Sequence, residues 1–342
     1  MKKQTRNILI LAGVSALALG YMIATDGAAN LWSALRSARP AWLIAACGLM
    51  AAYWLLESQI LHLAVQKFHP GQKFACTLQT SMIGQLFNCI TPFASGGQPV
   101  QAYHLVKSGV PFGTASCALM IKFIVYQSVL TLYSLITLLL RYNLFAAQVR
   151  GLGFLVLVGF GVNAAVIAGL LSLCCFPKGT ERFLFWGVRA LAKLRILKEP
   201  EHSRIRLQKE LSGFYEGFSA IRHHALLIFQ MAALTVAQLT AFFLIPLVLY
   251  HSFGLTGAPA FSILAAGAFV LNLTSFIPLP GAAGGAELGF HLLFAMFFPA
   301  RFLAASVLLW RAATFYLPIC AGSLFTANFT SGAGRHGGCD AA

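Results

Sequence analysis

Acidic side chains are scarce in this sequence: nine Asp and Glu stand against 24 Lys and Arg over 342 residues, and charged residues of all kinds make up 10%. Soluble domains carry roughly 25%, so this composition cannot furnish the water-facing surface of a soluble globular fold. Motifs that carry chemistry elsewhere are also missing. There is no G-x-x-x-x-G-K-[ST] phosphate loop, no H-E-x-x-H metal helix and no C-x-x-C pair. The eight cysteines (47, 76, 89, 117, 174, 175, 320, 339) lie mostly in or beside apolar runs. They read as small packing residues, so neither a disulfide framework, a metal centre nor a cofactor is expected.

What the chain has in abundance is apolar length. Hydrophobic residues reach 58% and mean hydropathy is +0.77. Stretches near the roughly 20 residues needed to span a bilayer occur at 8–25, 41–66, 113–140, 152–176, 225–250 and 302–327, with shorter or interrupted ones at 74–90 and 258–298. A cleaved signal peptide is the rival for 8–25, but no clear small-x-small cleavage site precedes the polar segment at Asp26. The formal charge of +15 is scattered at the ends of spans and forms no basic domain. It fits membrane topology and anionic lipid, not nucleic acid.

Charge bias then sets orientation. The segment 177–224 carries ten Lys or Arg against five Glu, which places it in the cytoplasm, and Lys2, Lys3 and Arg6 place the N-terminus there too. Counting back from 177 and forward from the N-terminus puts the chain inside both before residue 74 and after residue 98. The segment 74–98 therefore reads as a re-entrant hairpin with its tip at "TPFASGG" (91–97), and "QAYHLVKSG" (101–109) as cytoplasmic. The second half mirrors this: 258–298, broken at "PLPGAAGG" (278–285), enters from outside, and the tail at 328–342 ends inside. The alternative is that 74–90 crosses completely.

The two breaks repeat one another. Pro92 is followed by Gly96 and Gly97, and Pro280 at the same distances by Gly284 and Gly285; Asn88 and Asn272 precede them; Lys122 and Arg311 follow in the next span. Paired interrupted segments in two halves point to a transporter site near the midplane, although Pro and Gly are also tolerated as plain kinks. The expectation is an all-α polytopic membrane protein with about six full transmembrane helices plus two re-entrant broken hairpins in inverted-topology repeats. Its halves would be 8–140 and 225–327.

Lys122, Arg311, Glu57 and Glu287 all fall inside apolar segments, where each charge costs about 2.5–3.5 kcal/mol at a helix centre. Two arrangements offset that. Glu57 with Lys122 and Glu287 with Arg311 form ion pairs that hold helices together, or the cations receive an anionic lipid headgroup while the carboxylates orient them. Arginine suits phosphate because its planar fork donates two hydrogen bonds at once. Gln98, Asn88, Asn272, Tyr126, Gln85, Gln127 and His291 are the neutral candidates around such a site. In 177–224, "FLFWGVRALAKLRIL" has the pattern of a headgroup-level helix, and Leu207, Leu211, Phe214, Phe218 and Ile221 form one helical stripe. That stripe could meet lipid, the protein's own cytoplasmic face or a partner.

"NCITPFASGGQPVQAYHLVKSGVPFGTA" followed by "FIPLPGAAGGAELGF" resembles the two signature regions of the lysylphosphatidylglycerol synthase transmembrane family, the flippase portion of the multiple peptide resistance factor. The likeness covers about residues 8–327. It implies a bacterial inner-membrane protein that moves aminoacylated phosphatidylglycerol, or a related lipid, to the outer leaflet, making the surface less attractive to cationic antimicrobial peptides. Full-length members carry a soluble aminoacyl-transfer domain after the membrane region. The tail "TSGAGRHGGCDAA" is too short and polar to be one, so lysyltransferase activity is not expected of this chain. The expected partners are a phospholipid, anionic or aminoacylated, a separate synthase for which the chain would act as scaffold, and further copies of itself; a membrane-embedded lipid-modifying enzyme is the other alternative.

Overall fold

The computed structural model describes residues 28–148, 151–182, 185–186, 200–222, 224–275 and 277–332. The apolar stretch 8–25, most of "FLFWGVRALAKLRIL" and the end of the tail lie outside the described residues. Among those described there are helices and no strand. Five helical stretches are long and apolar enough to cross a membrane: Pro40–Gln66, Phe112–Leu140, Val156–Cys175, Ala225–Ser252 and Ala300–Ala327. This is an all-α polytopic membrane protein.

Two long helices form its axis, α2 (Pro40–Gln66) and α9 (Ala225–Ser252), with the short α1 (Ala28–Ser37) leading into α2. They run antiparallel in register. The Arg39 N–H donates to the Ser252 carbonyl at 3.0 Å, the Trp42 and His251 rings lie 5.3 Å apart, Tyr53 meets Phe242 at 5.5 Å, and Ala64 shares a core with Met231. Prolines sit where chains enter helices: Pro40 in the first turn of α2, and Pro111, Pro259 and Pro299 immediately before later ones. There the missing N–H costs nothing.

Against this axis lie two helical hairpins. In the first, α3 (Phe74–Ile90) and α4 (Gly97–Lys107) pack face to face on either side of a 3₁₀ turn at Pro92–Ala94. Their contacts form a zipper. The Cys76 thiol donates to the Ser108 hydroxyl (3.1 Å), the Thr80 hydroxyl meets His104 Nδ1 (2.7 Å), Gln101 lies against the bare Cα of Gly84, and Asn88 meets Gly97. The returning limb runs on to Lys107, past the residue 98 at which the sequence reading ends the hairpin, so most of "QAYHLVKSG" is helix. In the second hairpin α10 (Ala260–Thr274) and α11 (Gly285–Phe294) pack together across a 3₁₀ turn at Pro280–Ala282.

The hairpins approach from opposite ends of the axis. The open end of the first lies beside the end of α2 and the start of α5 (Phe112–Leu140), whose residues share one apolar cluster with Ala102, Leu105 and Val110. The open end of the second lies beside the end of α9, where Tyr250 meets Phe298 at 5.5 Å and Phe253 stacks on Phe302 at 4.9 Å. Between them the two 3₁₀ turns touch. Short α6 (Tyr142–Gln148) leads to α7 (Leu152–Cys175), and α12 (Ala300–Arg311) continues through a π-helical turn (Ala312–Tyr316) into α13 (Leu317–Gly332), which packs along α3.

The polar segment also finds a place. Helix α8 (Pro200–Arg222) lies on the protein's own helix ends. The Gly113 N–H donates to Glu210 Oε2 (2.8 Å), the Tyr215 hydroxyl donates to the Leu173 carbonyl (3.1 Å), and Phe214 and Phe218 pack against the Ala115–Cys117–Ala118 cluster. Of the three surfaces open to its apolar stripe, Phe214 and Phe218 use the protein itself.

Close approach of α13 to α3 depends on Gly322, where a Cβ would stand 2.7 Å from the Met82 carbonyl oxygen and 2.8 Å from Leu86 Cβ. Apolar helices gain nothing from lipid exclusion and associate through such close packing. Gly322→Val should therefore lower stability by about 1–3 kcal/mol through overpacking, seen as a lower thermal midpoint in detergent. An unchanged midpoint would show that this crossing is loose.

Candidate functional site

Breaking a helix inside an apolar protein strands backbone donors and acceptors, and the residues around each turn account for them. In the first turn, Asn88 Oδ1 accepts from the Gly97 N–H (3.1 Å) and Thr91 Oγ1 accepts from the Gly96 N–H (2.8 Å) while donating to the Phe87 carbonyl (2.6 Å). In the second, a charged pair does this work. Glu287 Oε2 accepts from the Gly284 N–H (2.7 Å), and Arg311 Nη1 donates to the Gly281 carbonyl (3.0 Å).

The turns share their entry and part at their exit, where Ser95 (φ −79°, ψ −15°) and Gly96 (φ −80°, ψ −22°) are right-handed helical and their counterparts Ala283 (φ −56°, ψ 141°) and Gly284 (φ 83°, ψ −52°) are not. Thr91 and Leu279 enter them at φ −114°, ψ 146° and φ −114°, ψ 148°. Phe93 (φ 55°, ψ 19°) and Gly281 (φ 59°, ψ 21°) follow in the left-handed region, then Ala94 (φ 50°) and Ala282 (φ 51°). Three non-glycine residues in that region represent stored strain of roughly 1–2 kcal/mol each. Gly281 has no alternative: a Cβ there would stand 2.0 Å from the Phe315 ring. At Phe93 the side chain instead points outward, 58% exposed.

Both intramembrane ion pairs form. Lys122 Nζ lies 2.6 Å from Glu57 Oε1, and the Gln85 amide donates to Glu57 Oε2. Arg311 Nε lies 2.7 Å from Glu287 Oε1, with the guanidinium carbon 5.1 Å from the Phe315 ring centre and 5.4 Å from that of Trp310. The pairs flank the last turns of α3. Gln85 touches the first pair, Cys89, four residues on, lies within the field of Arg311, and α2 touches the π-helical turn after Arg311. Four residues of helix span about 6 Å.

Each carboxylate thus engages its cation directly, as the ion-pair arrangement expects. One donor nevertheless stays unmatched: Arg311 Nη2 is buried and has no hydrogen-bond partner. The second pair is also not sealed, since the Glu287 side chain is 19% exposed and Gly284 beside it is exposed.

Other candidates fall into place around these groups or away from them. Tyr126 stands beside Tyr53 and Glu57, and Gln98 is half-buried in the first turn of α4. Pro92, Gly96 and Gly97 shape the first turn, and Pro280, Gly284 and Gly285 the second; a Cβ on Gly285 would strike Ile277. Asn272 does not match Asn88. It lies fully buried on α10 against Gly159 of α7, with neither carboxamide atom hydrogen-bonded. It neighbours a separate polar link in which the Gln127 amide donates to Asn163 and Asn163 Nδ2 donates to the Gly159 carbonyl (2.9 Å). His291 lies on an exposed face of α11. Sequence reasoning overlooked Gly281, Thr91 and Phe315. Only Gly281 left a signal, being the glycine that stands where the first repeat has Phe93.

Two broken-helix hairpins meeting beside buried ion pairs within a bundle of spanning helices define a multi-pass membrane protein with a polar centre. The chain belongs to the family described as the lysylphosphatidylglycerol synthase TM region, whose model matches residues 8–322. A search of curated proteins returns no match.

Removing one partner of a buried pair leaves an uncompensated charge, at about 3–5 kcal/mol. Glu57→Gln alone should thus lower the thermal midpoint strongly, and Glu57→Gln with Lys122→Met should recover most of the loss. If single and double variants unfold alike, the pair is not coupled. Gly281→Ala should also be severely destabilised, and Phe315→Ala should rescue it only in part, because the space is restored while the positive φ remains strained.

Proposed function

We propose that this chain is a lipid translocator of the bacterial cytoplasmic membrane, with both termini in the cytoplasm, in which the two hairpins are re-entrant and their touching tips form the crossing point for a phospholipid headgroup. The family's name connects it to lysylphosphatidylglycerol, and an aminoacylated phosphatidylglycerol moved to the outer leaflet is the substrate that connection favours. Resistance to cationic antimicrobial peptides would follow from the altered surface charge. The observation that carries the reading is the meeting of two turns with a shared entry conformation, reached from opposite ends of the α2–α9 axis, beside two ion pairs.

The physical logic is that a headgroup needs polar partners midway and acyl chains do not. The tails stay in hydrocarbon while the headgroup exchanges water for the groups around Lys122 and Arg311. Half-helix N-termini after the glycine pairs add positive potential there. Without a phosphate-loop motif, the driving force is an ion gradient, the membrane potential or the lipid gradient itself. Potential drives a cationic lipid inward, so outward movement of one needs continuous supply on the cytoplasmic side.

Reconstitution tests this. Proteoliposomes holding the full chain should move a labelled phosphatidylglycerol or lysyl-phosphatidylglycerol between leaflets well above the rate of empty vesicles. Lys122→Met with Glu57→Gln, which keeps the interior uncharged and folded, should abolish the movement. A folded chain that moves neither lipid would refute translocation. Modified lipid product would indicate an enzyme instead, and retention of a separate synthase with no movement a scaffold.

A further inference from the structure

We infer that the element of the lipid this site recognises is the phosphodiester and not the aminoacyl group; the inference rests on the translocator reading and names the substrate class of that same site. It comes from counting what each charged group has left to give.

Every carboxylate oxygen already has a partner. Glu57 Oε1 accepts from Lys122 and Oε2 from Gln85; Glu287 Oε1 accepts from Arg311 and Oε2 from the Gly284 N–H. An incoming ammonium therefore meets no carboxylate oxygen that lacks a partner and would have to share one.

The cations are not spent. Arg311 uses Nε on Glu287 and Nη1 on the Gly281 carbonyl, and Nη2 is left buried without a partner. Arg311 as a whole is 8% exposed, so leaving Nη2 unmatched costs free energy that an acceptor would recover. Lys122 has Glu57 as its hydrogen-bond partner among the described residues, for an ammonium that can donate three times. Among the polar atoms of the two ion pairs, the one left with no partner at all is a donor, Arg311 Nη2, and it matches an acceptor-only anion. Among lipid headgroup parts that is the phosphodiester, whose non-bridging oxygens accept and cannot donate.

Selection then falls on a feature shared by phosphatidylglycerol and its aminoacylated forms. The aminoacyl group would sit outward, toward the exposed Phe93 and Gly284 flank, contributing little to affinity.

The test is displacement of fluorescent phosphatidylglycerol from the purified full chain in non-ionic detergent by three unlabelled lipids: phosphatidylglycerol, lysyl-phosphatidylglycerol and a lysyl-diacylglycerol without phosphate. The first two should compete equally, and the third should fail. Arg311→Lys keeps the charge beside Glu287 and removes the second guanidinium arm. It should weaken both phosphate lipids alike by about tenfold or more, as losing a charge-assisted hydrogen bond requires. Tighter binding of lysyl-phosphatidylglycerol by about tenfold, which corresponds to 1.4 kcal/mol, or displacement by the phosphate-free lipid, would overturn the inference. So would absence of phosphatidylglycerol binding. Should Arg311→Lys fail to fold, the three-lipid series on the unaltered chain decides alone. Leaflet movement is scored separately. Phosphate-dependent binding without movement sinks translocation and keeps this inference, whereas movement selective for the lysyl form does the reverse.

Discussion

Hydrocarbon cannot hydrogen-bond a peptide group, and every peculiarity of this molecule follows from how it meets that constraint at two places where its helices break. A continuous helix satisfies its own backbone; a helix interrupted at Pro92 or Pro280 does not. The first break is repaired with neutral side chains, Asn88 and Thr91, which reach the amides of Gly97 and Gly96. The second is repaired with charges, Glu287 on the Gly284 amide and Arg311 on the Gly281 carbonyl. Two turns that enter on the same backbone path thus carry different chemistry, and the charged one has the spare donor.

Charge neutrality in the interior comes from long-range pairing. Glu57 and Lys122 are 65 residues apart, Glu287 and Arg311 24 apart. Such pairs add little net stability compared with apolar side chains of similar volume, because desolvation consumes much of the attraction. The second pair takes part in the turn itself, and a π-helical turn, a feature frequent at functional sites, follows directly after Arg311.

Much of this was legible in the sequence. The spans, the paired breaks at Pro92 and Pro280, and the four intramembrane charges stand out because each violates a strong rule of apolar composition. Even the partners Glu57–Lys122 and Glu287–Arg311 could be named as one of two arrangements, since few acids are available. What could not be read was geometry that composition does not encode. Asn272 looked like the counterpart of Asn88, yet it packs against Gly159, because Asn88 stands four residues before Pro92 and Asn272 eight before Pro280, so a shared order along the chain does not put the two at the same place. The hairpin was bounded at residue 98 because charge bias marks a side of the membrane and not a helix end; α4 runs on to Lys107, and His104 on it meets Thr80. The left-handed Phe93 and Ala94 carry no sequence signature at all, as neither is a residue type that favours that conformation.

The account stands or falls on the two turns being in contact. In a cysteine-free background, single cysteines placed through residues 92–94 can be paired with single cysteines through 280–282, and disulfide formation within one chain followed after mild oxidation in native membranes. Ready cross-linking of tip to tip is the predicted result. If no pair cross-links while each cysteine remains reactive to a small thiol reagent, the turns do not meet and the shared polar centre does not exist.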